Sequence, residues 1–156
     1  MSGPVTIRDL REMPGAVPEL AAWFEAEWAP HYGPDGPGDA AADLAECLAG
    51  EGLPRCLVAL DPDGSVIGTI ALRAASISHH QLTPWGAALL VARKCRGRGV
   101  GSALVAALED LARTLKFARV YMSTDTALGL LQRRGWCAFD TAPSLRGTVH
   151  VCVVDL

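Results

Sequence analysis

The chain has no Cys-x-x-Cys pair, no Gly-Lys-Ser or Gly-Lys-Thr triplet, no apolar stretch long enough to cross a bilayer, and no repeat, linker or low-complexity tract. Each absence removes a class. The five cysteines, Cys47, Cys56, Cys95, Cys137 and Cys152, are odd in number and lie mostly in apolar runs. They read as buried thiols in a reducing compartment, with no disulfide framework and no metal site. The missing Gly-Lys triplet excludes a P-loop. Met1-Ser2-Gly3-Pro4 is not followed by a basic segment and an apolar run, so the expectation is a soluble, cytoplasmic protein with no membrane partner. A formal net charge of -3 argues against a general nucleic-acid binder, whose footprint is a broad basic surface. At 156 residues, the expectation is a single domain spanning 1–156.

What is present is concentrated in Arg96-Gly97-Arg98-Gly99-Val100-Gly101-Ser102. Ahead of it, Ala87-Ala88-Leu89-Leu90-Val91 is a short continuous apolar run of the kind a buried strand uses. Behind it, Val100, Leu104, Leu108 and Leu111 recur at helical spacing. Glycines at such a junction let the backbone turn sharply and approach a ligand, so that successive N–H groups point at one anion. The unpaired amides and positive dipole end of the helix add to this, and a pyrophosphate is the expected guest. Gly97, Gly99 and Gly101 are spaced by two throughout, and position 102 is serine, so the dinucleotide fingerprint does not fit. Arg93, Lys94, Arg96 and Arg98 place local positive charge beside the turn.

The rest of the chain reads as alternating strands and helices. Residues 5–9 form a short strand, and 14–28 a helix with Leu20, Trp23, Phe24 and Trp28 on one face. Residues 33–38 must be a loop, after which Asp39 caps a second helix ending near Gly50. Strands at 56–60 and 65–72 are joined by the turn Asp61-Pro62-Asp63-Gly64. A polar loop at 76–83 leads to the strand at 87–92, the glycine turn and a helix to about Leu115. A strand from Ala118 to about Thr124, a helix at 127–134 and strands at 137–141 and 148–155 complete the order. The sum is one mixed sheet with helices on both faces.

Arg96, Gly99 and Gly101 match in order the acetyl-CoA signature of the GCN5-related N-acetyltransferases: Arg or Gln, two residues, Gly, one residue, then Gly or Ala. Val91 sits where that family keeps a strand valine, and Gly135-Trp136 resembles its closing Gly-aromatic pair. The chain therefore resembles this family over nearly its whole length, with sharp motifs from Leu89 to Trp136. The resemblance implies a GNAT-like α/β (mixed α+β) fold: a central, mixed, mostly antiparallel seven-stranded sheet flanked by about four helices, with strands 4 and 5 splayed. It implies acetyl-CoA as cofactor, held by Leu89, Leu90 and Val91 on the strand and by Arg96, Gly97, Arg98, Gly99, Val100, Gly101 and Ser102 on the turn. It also implies transfer of acetyl to an amine by direct attack in a ternary complex.

Two departures qualify the chemistry. The family's leaving-group tyrosine falls at Leu131, which has no proton to give, so either the thiolate, with a solution pKa of about 8.5, leaves without an acid, or Tyr121, Ser123, Thr124 or a water substitutes. No carboxylate occupies Thr83-Pro84-Trp85-Gly86, where a base is often found, and the nearest titratable groups are His79 and His80. Glu27, Trp28, His31 and Tyr32 are the expected acceptor pocket, an acid beside aromatics suited to a small-molecule amine or a peptide. Asp125 is expected to cap the last helix. His150 is read as a structural histidine, and Arg133 and Arg134 as solvating residues. The valine-rich terminal strands offer an edge for a homodimer. The alternative is an acyl-CoA-binding regulatory or interaction module with weak or no catalysis.

Overall fold

The computed structural model describes residues 5–76, 78–144 and 147–156. Seven strands, β1 (Thr6–Asp9), β2 (Arg55–Leu60), β3 (Val66–Arg73), β4 (Trp85–Val91), β5 (Arg119–Thr124), β6 (Cys137–Ser144) and β7 (Gly147–Asp155), form one sheet in the order β1-β2-β3-β4-β5-β7-β6. The helices are α1 (Val17–Glu27), α2 (Ala29–Tyr32), α3 (Ala40–Glu46), α4 (Val100–Thr114) and α5 (Leu128–Arg133). All described pairings are antiparallel except β4 with β5.

The two-residue repeat of a strand sends alternate side chains to opposite faces. On β2, Leu57 and Ala59 join the core under α4, while Cys56, Val58 and Leu60 join Leu20, Phe24 and Leu44 from α1 and α3. The sheet is thus covered on both faces, as the apolar runs of β2 and β3 require. The hairpin between these strands closes on Asp61, whose carboxylate accepts from Asp63 N and Ser65 N. Asp39 caps α3 by accepting from Ala42 N at 3.0 Å.

Several expected boundaries move. The first helix begins at Val17 after a 3-10 turn at Pro14–Ala16, and the second ends at Glu46 rather than near Gly50. The short α2, absent from the sequence reading, carries His31 to the inner wall because Pro30 is tolerated in a first helical turn. β4 begins at Trp85, two residues before its apolar run, and β6 extends to Ser144. β7 lies between β5 and β6, so its valines serve the interior of the sheet, and the free edges belong to β1 and β6. Cys137 is exposed, unlike the other four free cysteines.

β1 is anchored by Asp9, which accepts from Arg11 N at 2.8 Å and from Arg55 Nε and Nη2 at 2.9 and 2.8 Å. Burial raises the Asp9 carboxyl, but the Arg11 amide and the Arg55 guanidinium outweigh it and hold the group below its usual range. A depressed carboxylate contributes stability above its unfolded pKa of about 3.9, and loses it as pH falls through the lower folded value. Asp9→Asn is therefore expected to flatten the acid limb below about pH 4 of a stability-against-pH curve, read by urea unfolding at each pH.

Candidate active site

β4 and β5 run parallel but pair only at Trp85↔Tyr121 and Gly86↔Met122. Their close approach there depends on Gly86, since a Cβ would lie 2.8 Å from Leu108 Cδ2 and would clash with Met122 Cε. Beyond Gly86 the strands part. Against β3, Ala87 faces Ala71 and Leu90 faces Thr69, so β4 carries one extra residue, and Ala88 sits at φ 55°. Such a bulge bends its strand and re-aims the backbone. Residues 87–91 turn away from β5, leaving a wedge with backbone groups of β4 on one side and Met122, Ser123 and Thr124 on the other.

The wedge opens onto the glycine turn. Gly97 and Gly99 have φ of 81° and 80°, backbone that L side chains adopt at a cost, and a Cβ at either would meet nothing within 4 Å. Gly99 stands at the N-cap of α4, so no side chain covers the first amides, and the first bond from the cap runs from Ala103 N to Gly99 O at 3.0 Å. The donors of Val100, Gly101 and Ser102 have no intrahelical acceptor and sit at the positive end of a 15-residue helix. Arg96 folds back, its Nε donating to Val91 O at 3.1 Å and its Nη2 lying 3.9 Å from Glu27 Oε1.

Wedge and turn belong to one cleft of about 1160 Å³. At its far end stand Glu27, Trp28, His31 and Tyr32 from α1 and α2, with Asp43 and Cys47 from α3 and Arg73 from β3. Phe24 stacks edge-on to Trp28, with centroids 5.1 Å apart, and His31 packs against Tyr32 at 4.5 Å. The Tyr32 hydroxyl donates to Asp43 Oδ2 at 2.6 Å, and burial together with that carboxylate keeps it protonated well above the usual phenol range. Cys47 and Cys56 are adjacent buried thiols. Their mutual interaction draws the Cys47 thiol below the usual range and pushes Cys56 well above it, burial raising Cys56 further.

With this geometry in place, comparison with known proteins decides the family. The model of the acetyltransferase (GNAT) family matches residues 20–136, three-quarters of the chain and all of the turn and wedge. The chain belongs to the GNAT acetyltransferase family. Among curated protein sequences nothing matches it. A GCN5-related N-acetyltransferase from Kribbella flavida is 23% identical, with a TM-score of 0.76 covering 97% of this chain and 98% of its own. An aminoglycoside 6'-N-acetyltransferase complexed with coenzyme A is 15% identical, with a TM-score of 0.75 over 96% of each chain. A spermidine N-acetyltransferase chimera with sequence from Vibrio cholerae is 16% identical, with a TM-score of 0.72 over 98% of this chain and 96% of its own. At such identities the likeness is one of fold: the seven-stranded GNAT sheet with its parallel β4–β5 pair.

Within that GNAT frame the sequence candidates separate. Leu89, Leu90, Val91, Arg96, Gly97, Gly99, Val100, Gly101 and Ser102 all line the cleft, as do Glu27, Trp28, His31, Tyr32, Ser123 and Thr124. The Arg98 side chain is exposed and outside the lining. Tyr121 also lies outside it, at the closed end of the wedge where β5 still pairs with β4 at Trp85. Tyr121 packs on Trp85 instead, with centroids 5.5 Å apart. His79 is off the cleft, its Nε2 2.6 Å from Asp140 Oδ2, and His80 is exposed. Leu131 is 0% exposed in the core, while its neighbour Leu130 lines the cleft.

Other expectations change here too. α5 starts after Ala127 with no side-chain cap, so the cap expected of Asp125 is not there; just ahead of the helix, Thr124 Oγ1 accepts from Ala127 N at 2.8 Å. Arg134 does more than solvate its helix: it grips the buried Glu109 through Nε and Nη2 at 3.1 and 2.9 Å. His150 is exposed on β7. Among the described residues no helix is long and apolar enough to cross a membrane, and no cluster of His, Cys, Asp or Glu could hold a metal.

Asp43, Cys47 and Arg73 were missed by the sequence reading. The available signal was Asp43 and Cys47 at i, i+4 flanking Leu44, two polar groups beside the apolar stripe of a short helix. Arg73 sits at the last position of β3, which no local pattern marks.

Proposed function

We propose that this chain is a single-domain, acetyl-CoA-dependent N-acetyltransferase that passes an acetyl group directly to a primary amine bound in the same cleft. The observation that carries the reading is the wedge between β4 and β5 opening onto uncapped amides at Gly99. The residues present fit the cofactor. The missing side chains at Gly97 and Gly99 leave open space where a diphosphate would lie against N–H donors, including that of Arg98. Residues 89–91, turned from β5, offer backbone groups to an extended pantetheine arm as a further strand would.

Acetyl-CoA supplies the acetyl group as a thioester, whose C–S bond breaks as the amine nitrogen forms the new C–N bond. This chain's contribution is to align the partners and manage protons. Backbone N–H groups near Leu89 to Val91, which line the cleft, would be the donors to a thioester oxygen bound there, and would act where negative charge develops. Ser123 and Thr124 are the hydroxyls at the open end of β5 and replace the tyrosine that Leu131 displaces. Thr124 Oγ1 already accepts from Ala127 N, which strengthens its own O–H as a donor. At the acceptor end Glu27 and Asp43 hold the ammonium and, directly or through water, take its proton. The cytoplasm is the setting proposed, in keeping with five free cysteines, two of them adjacent thiols.

Titration calorimetry with acetyl-CoA is the test, expected to show binding that weakens as salt rises; a chain that does not bind it overturns the proposal. Release of free thiol with an amine present is then expected, falling about tenfold or more when Ser123 and Thr124 are changed to Ala and Val together. A second reading, an acyl-CoA-binding module without turnover, is favoured by the burial of Leu131 at 0% exposure. Binding without thiol release on any amine would establish it. His79→Ala/His80→Ala is expected to leave the pH-rate profile unchanged, since neither ring lines the cleft; a displaced acid limb would restore them as the base.

A further inference from the structure

The acceptor end of the cleft is not uniformly acidic, and that composition bears on what amine it takes. Asp43 lines it with one oxygen, Oδ2, bonded to Tyr32; among the described hydrogen bonds Oδ1 has none. Arg73 lines the same end, its only described ion pair a long one, Nη2 to Glu46 Oε2 at 3.8 Å, with the Glu46 side chain 58% exposed. Arg73 lies near enough to the Asp43–Tyr32 pair to oppose the rise in the Tyr32 pKa, and it favours the Cys47 thiolate as well. A guanidinium with a weak rim partner keeps most of its planar donors for a carboxylate or phosphate. Glu27, the other carboxylate of that wall, lies 3.9 Å from Arg96 of the cofactor turn, as long a contact as that of Arg73, and stands beside Asp43 as a second partner for the ammonium.

Resting on the reading of the cleft as an acetyltransferase site, we propose that the acceptor is an amino acid or a similar small aminocarboxylate, its ammonium held by Asp43 and its carboxylate by Arg73. A polyamine or a multiply charged amino sugar would have to bring a second cation against Arg73, which costs binding where a zwitterion gains it. Tyr32 is the positioning residue: its hydroxyl holds one carboxylate oxygen of Asp43 and leaves the other for the ammonium. In the reaction the ammonium gives up two protons. One ends on the departing sulfur and one in solvent, as the C–N bond replaces the C–S bond.

The experiment uses the full chain, acetyl-CoA and a thiol reagent, with matched acceptors: free amino acids, their amides and decarboxylated counterparts, and spermidine and kanamycin as polycations. The expected result is kcat/KM for the best amino acid at least tenfold above its amide and its decarboxylated amine, a charge-assisted bond being worth about 1.5–3 kcal/mol. Arg73→Gln should erase that preference and Arg73→Glu should invert it toward diamines. Acetyl-CoA affinity, measured in parallel, should stay within twofold and certify folding. Tyr32→Phe should raise KM more than it lowers kcat. The proposal is overturned if spermidine or kanamycin is the best acceptor, if amides match their acids, or if no aminocarboxylate is acetylated by protein that binds acetyl-CoA. Failure to bind acetyl-CoA would instead remove the underlying reading of the site.

Discussion

Replacing Glu109 with alanine is expected to lower the unfolding free energy by about 3 kcal/mol, toward the low end of what breaking a buried ion pair costs. Glu109 is 5% exposed inside α4 and accepts from Arg134 Nε, Arg134 Nη2 and Trp136 Nε1 at 3.1, 2.9 and 2.9 Å. These bonds join α4 to the end of α5 and to the residue before β6, the part of the chain that borders the cleft beyond β5. Without the carboxylate, the indole N–H of Trp136, itself 2% exposed, has no acceptor in an apolar cluster, which costs about 1–3 kcal/mol. The Arg134 side chain is 29% exposed and recovers water, which keeps the loss from reaching the upper end. Glu109→Gln should retain an acceptor for the indole and lose about half as much. Urea unfolding of the two variants, with Trp136→Phe to close a cycle, measures the coupling. A loss under about 1 kcal/mol for Glu109→Ala would show that water replaces the carboxylate and that the three bonds do not bind the elements together.

Gly99→Val is expected to raise the acetyl-CoA dissociation constant by 100-fold or more, equivalent to about 2.7 kcal/mol. The cause is double. At φ 80° a β-branched residue is strained, so the turn relaxes away from the shape that aims its amides. A Cβ at Gly99 also projects into open space, the space a diphosphate needs, and meets no protein atom within 4 Å. For the same reason the fold should survive, with a loss of about 1–3 kcal/mol from strain alone. Gly99→Ala should give an intermediate loss. Gly52→Ala, where a Cβ also meets nothing and the backbone is ordinary, should leave affinity unchanged. Calorimetry on folded variants decides the matter; Gly99→Val binding within threefold of the parent would mean that the phosphates lie elsewhere.

The turn was legible because its signal is local. Glycines between an apolar strand and an amphipathic helix must fold as they do, whatever surrounds them, and residues 96–102 lie adjacent in space as they do in sequence. The same holds for Asp39 at the start of α3 and for the Asp61 turn. β4 starts two residues before its apolar run, a start hidden because Pro84 and Gly86 look like breakers locally, whereas Gly86 is needed for β4 to touch β5 and α4. The cap expected of Asp125 is absent because α5 starts only after Ala127, whose amide is brought to the Thr124 hydroxyl by how β5 ends, a matter of geometry.

Periodicity, spacing and glycine placement were enough to derive the alternating elements, both buried faces and the glycine bend before α4 from the residues alone, since each depends on neighbours a few positions apart. The partnerships between distant positions came only from the folded chain: Glu109 with Arg134 and Trp136, Tyr32 with Asp43, Arg73 facing the same cavity, and His79 drawn off to Asp140. A side chain's role there is set by what packs within a few ångströms of it. That neighbour lies 11 to 61 positions away along the chain in the bonded pairs, so no window of sequence contains it.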